Sequence, residues 1–295
     1  MSDSQMIKTA VIPSAGYGTR MLPATKSLPK EMLPVAGKPL VQYAIEEAAA
    51  SGIETVILVV RNHKSLIQSH FDPDLALESF LRKRQLIKSA EEIRRLTELV
   101  DVQYVEQQHP LGLAHAICCA KPLVGGEPFA VLLPDVIIVS EQPVTHQLIR
   151  AHRTHGGTVV AIREVEPQEV ERHGIVQVDG SAACAYGSSV RAMGLVEKPS
   201  ATEAPSRVGV FGRYLLEPPI WDAIAQTRPD ARGEVQLTDA LNLLCKDNSV
   251  FGLCFEGQHF DAGDRLGFLK ANIELSLADV CLHQPLQAYL TRLCS

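Results

Sequence analysis

Short apolar segments rich in β-branched residues alternate with helical patterns through the first half of the chain. Thr55–Val60 reads TVILVV and Phe129–Leu133 reads FAVLL, and continuous apolar runs of this length are typical of strands covered on both faces. Pro39–Gly52 begins with Pro and ends with Gly, which predicts a helix. The charged, periodic segment Leu75–Val100 predicts one long helix. The alternation therefore predicts a doubly wound, mainly parallel sheet.

The second half follows a different pattern, with short strands that have little helix between them. Such strands are predicted at His173–Asp179, Ala192–Glu197 and Arg207–Tyr214, and they favour an antiparallel or mixed extension of the sheet that houses part of a ligand pocket. Because the chain has no internal repeat and no long linker, we predict a single domain over residues 1–295. Its parts are a core (about 1–165), the extension (about 166–262) and C-terminal helices (about 263–295) that are a candidate oligomer contact.

Charge and cysteine usage exclude several classes of function. The chain has 28 Lys and Arg against 34 Asp and Glu, a net charge of −6, whereas a nucleic-acid or anionic-membrane binder needs a basic face. No apolar stretch approaches the roughly 20 residues of a membrane span. The seven cysteines form no C-x-x-C pair and no zinc-type spacing with His. We predict a cytoplasmic protein in a reducing compartment, with neither nucleic acid nor membrane as a partner.

Positive charge is concentrated in one segment directly after the first predicted strand. Ser14–Leu33 reads SAGYGTRMLPATKSLPKEML and occupies the position where open α/β sheets bind ligands. Ala15 and Gly16 let backbone N–H groups approach a phosphate or a base edge. Three cations follow in the same segment: Arg20, Lys26 and Lys30. The segment lacks the third Gly of a dinucleotide loop and the Lys-Ser/Thr ending of a Walker loop. It predicts a polyphosphate ligand, with a basic surface loop as the alternative.

The segment also resembles a known family. Its sequence motif is similar to the signature of nucleotidyltransferases that make nucleotide sugars: G-x-G-T-R-[ML]-x-P-x-T-K followed by P-K-E-[ML]-L-P. The segment most resembles bacterial UTP–glucose-1-phosphate uridylyltransferases (UDP-glucose pyrophosphorylases). Further matches follow in the family's order: QQHPLGLAHA, VLLPDVI, HGIV, GLVEKP, EVQLTDAL and FDAGDRLGFLKA. The resemblance implies a Rossmann-like three-layer α/β/α fold with a mixed, mainly parallel sheet and a small antiparallel extension.

The resemblance also implies an activity. The expected reaction transfers a uridylyl group from UTP to glucose 1-phosphate, with Mg²⁺ as the cofactor, and gives UDP-glucose and pyrophosphate in a homodimer or homotetramer. A different base or sugar preference is one alternative. Another is a catalytically weak regulatory paralogue that binds UDP-glucose, because this chain shares the Pro110-Leu111 spelling of that type. It keeps Thr19-Arg20, however, which that type lacks, and this favours an active enzyme.

Carried over residue by residue, the resemblance implies the contacts with the base. The backbone of Ala15 and Gly16 would meet the uracil and the ribose. Glu31, Gln107 and Gly112 would lie on the uracil side of the pocket. Without the resemblance, none of these residues points to a particular base.

The resemblance further implies which residues handle the phosphates and the sugar. Arg20 and Lys30 would hold the triphosphate and the leaving pyrophosphate. Gly174, Glu197 and Lys198 would bind the glucose hydroxyls and the sugar phosphate. Arg20, Lys30 and Lys198 are accordingly the predicted catalytic residues, since positive charge must offset the repulsion between two reacting anions.

Two carboxylates are the implied ligands of Mg²⁺. Asp135 directly follows the apolar run FAVLL, and Asp261 begins the run Asp-Ala-Gly-Asp. Mg²⁺ typically takes one or two carboxylates together with phosphate oxygens and water. The resemblance therefore predicts a metal site shared between the protein and the nucleotide.

Overall fold

Alternating strands and helices build the fold, which the computed structural model describes for residues 6–61, 64–178, 184–247 and 249–294. The strands are β1 (Thr9–Ser14), β2 (Pro34–Val35), β3 (Lys38–Pro39), β4 (Thr55–Val60), β5 (Asp101–Glu106), β6 (Phe129–Leu132), β7 (Val136–Val139), β8 (Thr158–Glu164), β9 (Gly174–Val178), β10 (Ser189–Glu197), β11 (Val208–Leu216), β12 (Val250–Cys254) and β13 (Gln258–Asp261). The helices are α1 (Leu40–Ala50), α2 (Lys64–Phe71), α3 (Leu75–Lys83), α4 (Ile87–Thr97), α5 (Leu113–Cys119), α6 (Lys121–Val124), α7 (Val144–His155), α8 (Ile220–Gln226), α9 (Leu237–Cys245), α10 (Arg265–Ala278) and α11 (His283–Leu293).

One sheet of nine strands connects both halves of the chain, in the order β5-β4-β1-β6-β11-β8-β12-β10-β9. Strand β1 pairs in parallel with β4 and β6, β4 pairs in parallel with β5, and β8 pairs in parallel with β12. Strands β10 and β9 pair antiparallel at the far edge. The predicted mixed, mainly parallel sheet with a small antiparallel extension is confirmed. Asp179, the last residue of the strand predicted over His173–Asp179, lies outside the described residues.

Strand β11 lies in the middle of the sheet, which the sequence did not predict. It pairs antiparallel with β6 on one side and with β8 on the other. All nine of its residues are buried. The strand is antiparallel, as the sequence analysis predicted, but its place between β6 and β8 depends on contacts between segments far apart along the chain.

The segment predicted as one long helix over Leu75–Val100 contains two helices, α3 and α4. Gln85, between them, adopts a left-handed backbone conformation with φ of 60°, which interrupts the helical hydrogen-bond ladder. The start of α3 is capped by Asp74, whose carboxylate accepts a hydrogen bond from the Leu77 amide at 2.8 Å. Within the described residues, no helix is long and apolar enough to cross a membrane.

Two of the seven cysteines lie close together in the fold. Cys184 and Cys254 form a disulfide that joins the segment before β10 to the end of β12. The cysteine spacing had favoured a reducing compartment and indicated no such pair. Spacing along the chain could not reveal it, because the two residues meet only through the pairing of β10 with β12.

Candidate active site

A Gly-containing loop follows β1 at the carboxyl edge of the parallel strands. Its turn depends on Gly18, whose φ of 60° is strained for a residue with a side chain; a Cβ there would also be tightly packed, 3.0 Å from the Lys30 Cβ and 3.0 Å from a Thr25 methyl group. The Thr25 hydroxyl donates a hydrogen bond to the Gly18 carbonyl at 2.8 Å. These contacts hold the loop against the segment that carries Lys30.

A cavity of about 230 Å³ lies beside this loop, and we call it the loop cavity. Three predicted nucleotide contacts line it: Ala15, Gly16 and Lys30. Ser14 pairs with Val60 at the ends of two parallel strands, so residues after β4 reach the same cavity. The cavity therefore lies at the edge of the sheet where ligands bind in open α/β folds.

A larger cavity of about 520 Å³, the main cavity, holds most of the other predicted site residues. They are Arg20, Asp135, Gly174, Glu197, Lys198 and Asp261. These residues come from both halves of the chain. The fold thus brings together side chains that the resemblance had assigned to one active site.

An ion pair between Lys30 and Asp135 links the two cavities, with Nζ 2.7 Å from Oδ2. Burial disfavours the charge on Lys30, but the neighbouring carboxylates of Asp135 and Glu31 outweigh it and raise the pKa of Lys30. Burial likewise opposes ionisation of Asp135, yet the Lys30 ammonium lowers the pKa of that carboxyl below its ordinary value. Both groups are therefore charged at neutral pH.

The carboxylates of Asp135 and Asp261 converge although they lie far apart in sequence. Strands β7 and β13 pair antiparallel, with Asp261 opposite Val136. A Cβ placed on Gly263 would lie 2.9 Å from Asp261 Oδ1, 3.0 Å from Asp135 Oδ2 and 3.1 Å from an Arg20 nitrogen. The two carboxylate oxygens are thus within about 6 Å of each other, around a space that Gly263 leaves open.

This donor set fits a divalent cation that is also bound by phosphate. Among the residues that the structure describes, no three His, Cys, Asp or Glu side chains form a metal-binding group. Two carboxylates completed by phosphate oxygens and water are a typical Mg²⁺ arrangement. Asp261 also accepts a hydrogen bond from Arg172 at 3.0 Å, which holds that carboxylate in place.

The predicted sugar contacts form a connected group at the edge of the extension. Gly174 on β9 pairs with Glu197 on β10. The Glu197 carboxylate accepts hydrogen bonds from the Thr238 hydroxyl at 2.5 Å and from the Lys198 ammonium at 2.6 Å. Lys198 has a φ of 41°, a conformation that is uncommon for a residue with a side chain. The Lys198 side chain is 57% exposed, so its ammonium is accessible from the main cavity.

Three predicted uracil-side residues line neither cavity. Glu31 and Gln107 are buried, with exposures of 2% and 4%. The Gln107 amide nitrogen lies 2.8 Å from His115 Nδ1 and donates to the Gly112 carbonyl at 3.3 Å. Gly112 itself has a φ of 97°, and Val235 lies too close for any Cβ there. The roles of Glu31, Gln107 and Gly112 stay predictions.

Arg213 is a functional candidate that the sequence analysis missed. It is 1% exposed, and its guanidinium donates to both oxygens of Glu47 at 2.8 to 3.1 Å. It also donates to the carbonyls of Leu133 and Val136, at 3.0 and 2.8 Å. These carbonyls flank Asp135, so Arg213 holds the turn that presents this carboxylate. A charged residue within the buried strand VGVFGRYLL was the available sequence signal.

The sequence analysis also did not predict two other sets of contacts at the site. Arg172 donates to Asp261 and to Asp264, the latter at 2.6 Å. Tyr17 and Arg61 line the loop cavity and stack on each other. The partners of both arginines lie far away in the sequence, so only the fold reveals their positions.

The buried Glu31 carboxyl gives a testable pH dependence. Burial raises its pKa above the ordinary 4.5, although the Lys30 ammonium opposes this shift, and one of its oxygens has no hydrogen-bond partner among the described residues. The folded protein therefore holds this proton more tightly than the unfolded chain, and Glu31 should destabilise the protein as pH rises above about 4.5. We expect Glu31→Gln to gain in free energy of unfolding, relative to the wild type, between pH 4 and pH 7 in urea titrations. An equal difference at both pH values would contradict this.

The Gly-containing loop sits where its cations meet two converging carboxylates, an arrangement suited to a phosphorylated nucleotide and a metal ion. Family comparison agrees with this chemistry: the chain belongs to the nucleotidyl transferase family, whose model matches residues 9–276. The match includes β1, the loop after it and every residue that lines the main cavity.

Within that family, the most informative relatives share one activity. The chain is 42% identical over 284 residues to the UTP–glucose-1-phosphate uridylyltransferase YngB of Bacillus subtilis, covering 96% of this chain and 94% of the relative. A UTP-bound UGPase from Acinetobacter baumannii has a TM-score of 0.89 at 37% identity, covering 97% of this chain and 99% of that one. A UDP-glucose pyrophosphorylase complexed with UDP-glucose has a TM-score of 0.83 at 36% identity, covering 93% and 100%. The predicted resemblance is confirmed.

Proposed function

We propose that this protein transfers a uridylyl group from UTP to glucose 1-phosphate and releases pyrophosphate. The observation that carries the proposal is the convergence of Arg20, Asp135, Lys198 and Asp261 on one cavity. Lys30 joins that cavity to the loop cavity through its ion pair with Asp135. The relatives named for this activity support the same reaction.

The reaction needs no protein nucleophile. An oxygen of the glucose 1-phosphate attacks the α-phosphorus of UTP, a new phosphorus–oxygen bond forms, and the bond to the β-phosphate oxygen breaks with pyrophosphate as the leaving group. The protein must bring two anions together and stabilise the charge that develops on the leaving group. We assign Lys198 to the sugar phosphate, and Arg20 and Lys30 to the triphosphate.

A divalent ion, proposed to be Mg²⁺, would be held by Asp135 and Asp261. When bound, it supplies positive charge to the phosphate oxygens of the nucleotide. The Lys30 ammonium keeps Asp135 ionised, and Arg172 keeps Asp261 oriented. These residues thus prepare the two carboxylates as ligands before the nucleotide arrives.

We also propose that different parts of the chain bind the two substrates. All the described residues that line the loop cavity belong to the predicted core, about 1–165, and this cavity would hold the nucleotide. Gly174, Glu197 and Lys198 belong to the predicted extension, about 166–262, and would hold the sugar phosphate. A homodimer or homotetramer with contacts through the C-terminal helices remains part of this proposal.

Pyrophosphate release from every pairing of four nucleotides with several sugar phosphates tests the function directly. We expect release with UTP and glucose 1-phosphate to exceed every other pair by at least roughly tenfold, because a site built to pair with polar groups of one substrate rejects analogues that lack them. A higher rate with dTTP or another sugar phosphate would assign a different specificity. No release from any pair, together with UDP-glucose binding in calorimetry, would identify a regulatory paralogue instead.

A further inference from the structure

Arg61 lines the loop cavity, although it belongs to no motif that the sequence analysis identified. It directly follows β4, whose last residue, Val60, pairs with Ser14 at the end of β1. This pairing places Arg61 beside the Gly-containing loop. Its guanidinium carbon lies 3.5 Å from the ring centroid of Tyr17, and both residues line the loop cavity.

Arg61 has an unsatisfied hydrogen-bond donor, unlike the buried Arg213. Its Nε is buried and has no acceptor among the residues that the structure describes. Arg213, by contrast, donates to Glu47 and to backbone carbonyls through every guanidinium nitrogen. A buried donor without an acceptor costs free energy that a ligand oxygen would recover. The unpaired N–H of Arg61 therefore indicates a missing anionic ligand.

The rest of the cavity favours the same kind of ligand. Lys26 is exposed, lines the cavity and forms no ion pair with a carboxylate in the described part of the chain. Lys30 adds a second ammonium, which Asp135 already partly neutralises. No carboxylate side chain lines this cavity among the described residues, so the net charge of its lining is positive.

We propose that Arg61, held in position by Tyr17, binds a phosphate of the UTP triphosphate beyond the α-phosphate; this rests on the proposed function. A guanidinium that rests on the face of an aromatic ring leaves the N–H groups at its edges free for phosphate oxygens. Such charge-assisted hydrogen bonds are stronger than neutral ones. Arg61 would thus distinguish a nucleoside triphosphate from a monophosphate and remain in contact with the pyrophosphate that leaves.

Arg61→Gln tests this directly. In the presence of Mg²⁺, we expect the KM for UTP and its calorimetric Kd to rise roughly 10- to 100-fold, the usual loss for hydrogen bonds to a charged group. The KM for glucose 1-phosphate and the Kd for UMP should change less than about threefold. Arg84→Gln is the matched control, because Arg84 also stacks on an aromatic ring, Phe80 at 5.4 Å, but lines neither cavity.

A second pair of variants tests the role of the ring. Tyr17→Phe keeps the stacking surface and should bind UTP like the wild type, whereas Tyr17→Leu should weaken UTP binding by roughly 3- to 30-fold. Unchanged UTP affinity in Arg61→Gln, or an equal loss for UTP and UMP, would overturn the inference. Melting temperatures show whether each variant is folded. If the wild type binds UTP yet releases no pyrophosphate, the proposed function fails while the Arg61 contact can still be measured.

Discussion

Lys198→Ala should lower kcat/KM by roughly three orders of magnitude and leave the fold intact. Catalytic groups that stabilise developing charge are typically worth 10²- to 10³-fold each, and Lys198 also offsets the repulsion between the sugar phosphate and UTP. Among the described residues its ammonium bonds to Glu197 alone, at 2.6 Å, and its side chain is 57% exposed. Losing that surface pair costs about 1 kcal/mol of stability or less. Steady-state kinetics with both substrates varied, together with thermal unfolding, measure the two effects.

Lys8→Ala is the matched control for this prediction. Lys8 also forms an exposed ion pair, with Glu54 at 3.1 Å, but it precedes β1 at the amino edge of the sheet, opposite the site. We expect this variant to keep wild-type kinetics. Near-normal activity of Lys198→Ala would remove Lys198 from the catalytic residues and leave Arg20 and Lys30 to carry the charge.

Asp135→Asn should impair both catalysis and stability. The substitution removes one of the two carboxylates proposed to hold Mg²⁺ and leaves the Lys30 ammonium buried without its partner. We expect kcat/KM to fall by roughly 10³-fold or more, and the Mg²⁺ concentration for half-maximal activity to rise. Because the pair is partly buried, with side chains 15% and 18% exposed, and Asn could still accept a hydrogen bond from Lys30, the free energy of unfolding should fall by up to about 3 kcal/mol, the low end for removing one partner of a buried pair. Magnesium titrations of activity and urea denaturation measure these results.

A destabilised control separates the two effects of Asp135→Asn. Asp74→Ala removes the carboxylate that caps α3, which costs about 1 kcal/mol, and lies outside both cavities. It should lower the free energy of unfolding without changing the magnesium midpoint. If the midpoint is the same in Asp135→Asn and the wild type, Asp135 is not a metal ligand and its role is only to pair with Lys30.

Individual strands and helices could be predicted from residue patterns. The apolar run Thr55–Val60 is a strand with the bounds predicted, and Pro39–Gly52 contains the helix Leu40–Ala50. These predictions succeed because burial on both faces and the restricted backbone of Pro and Gly act within a few residues. The break at Gln85 shows the limit, since helical periodicity continues across it while the backbone does not.

The candidate site likewise has a part that the sequence predicts and a part that only the fold reveals. The loop SAGYGTR and its cations could be predicted because their spacing is contained in one segment. The positions of Tyr17 and Arg61 relative to each other could not, because their stacking depends on the parallel pairing of β1 with β4. Arg213 was missed for a similar reason: its acceptors come from two segments far from it in sequence, Glu47 in α1 and the turn that includes Leu133 and Val136.

The sequence by itself determined the alternating strands and helices, the cationic loop and the family, because these follow from short-range patterns and from motifs in a characteristic order. Only the tertiary structure placed β11 at the centre of the sheet and brought Asp261 beside Asp135 through the β7–β13 pair. It alone left Arg61 with an unpaired donor in a cavity that no carboxylate side chain lines among the described residues. The physical reason is that burial, ion pairing and shared cavities depend on distances in space, which residues far apart in the chain set only once the sheet has formed.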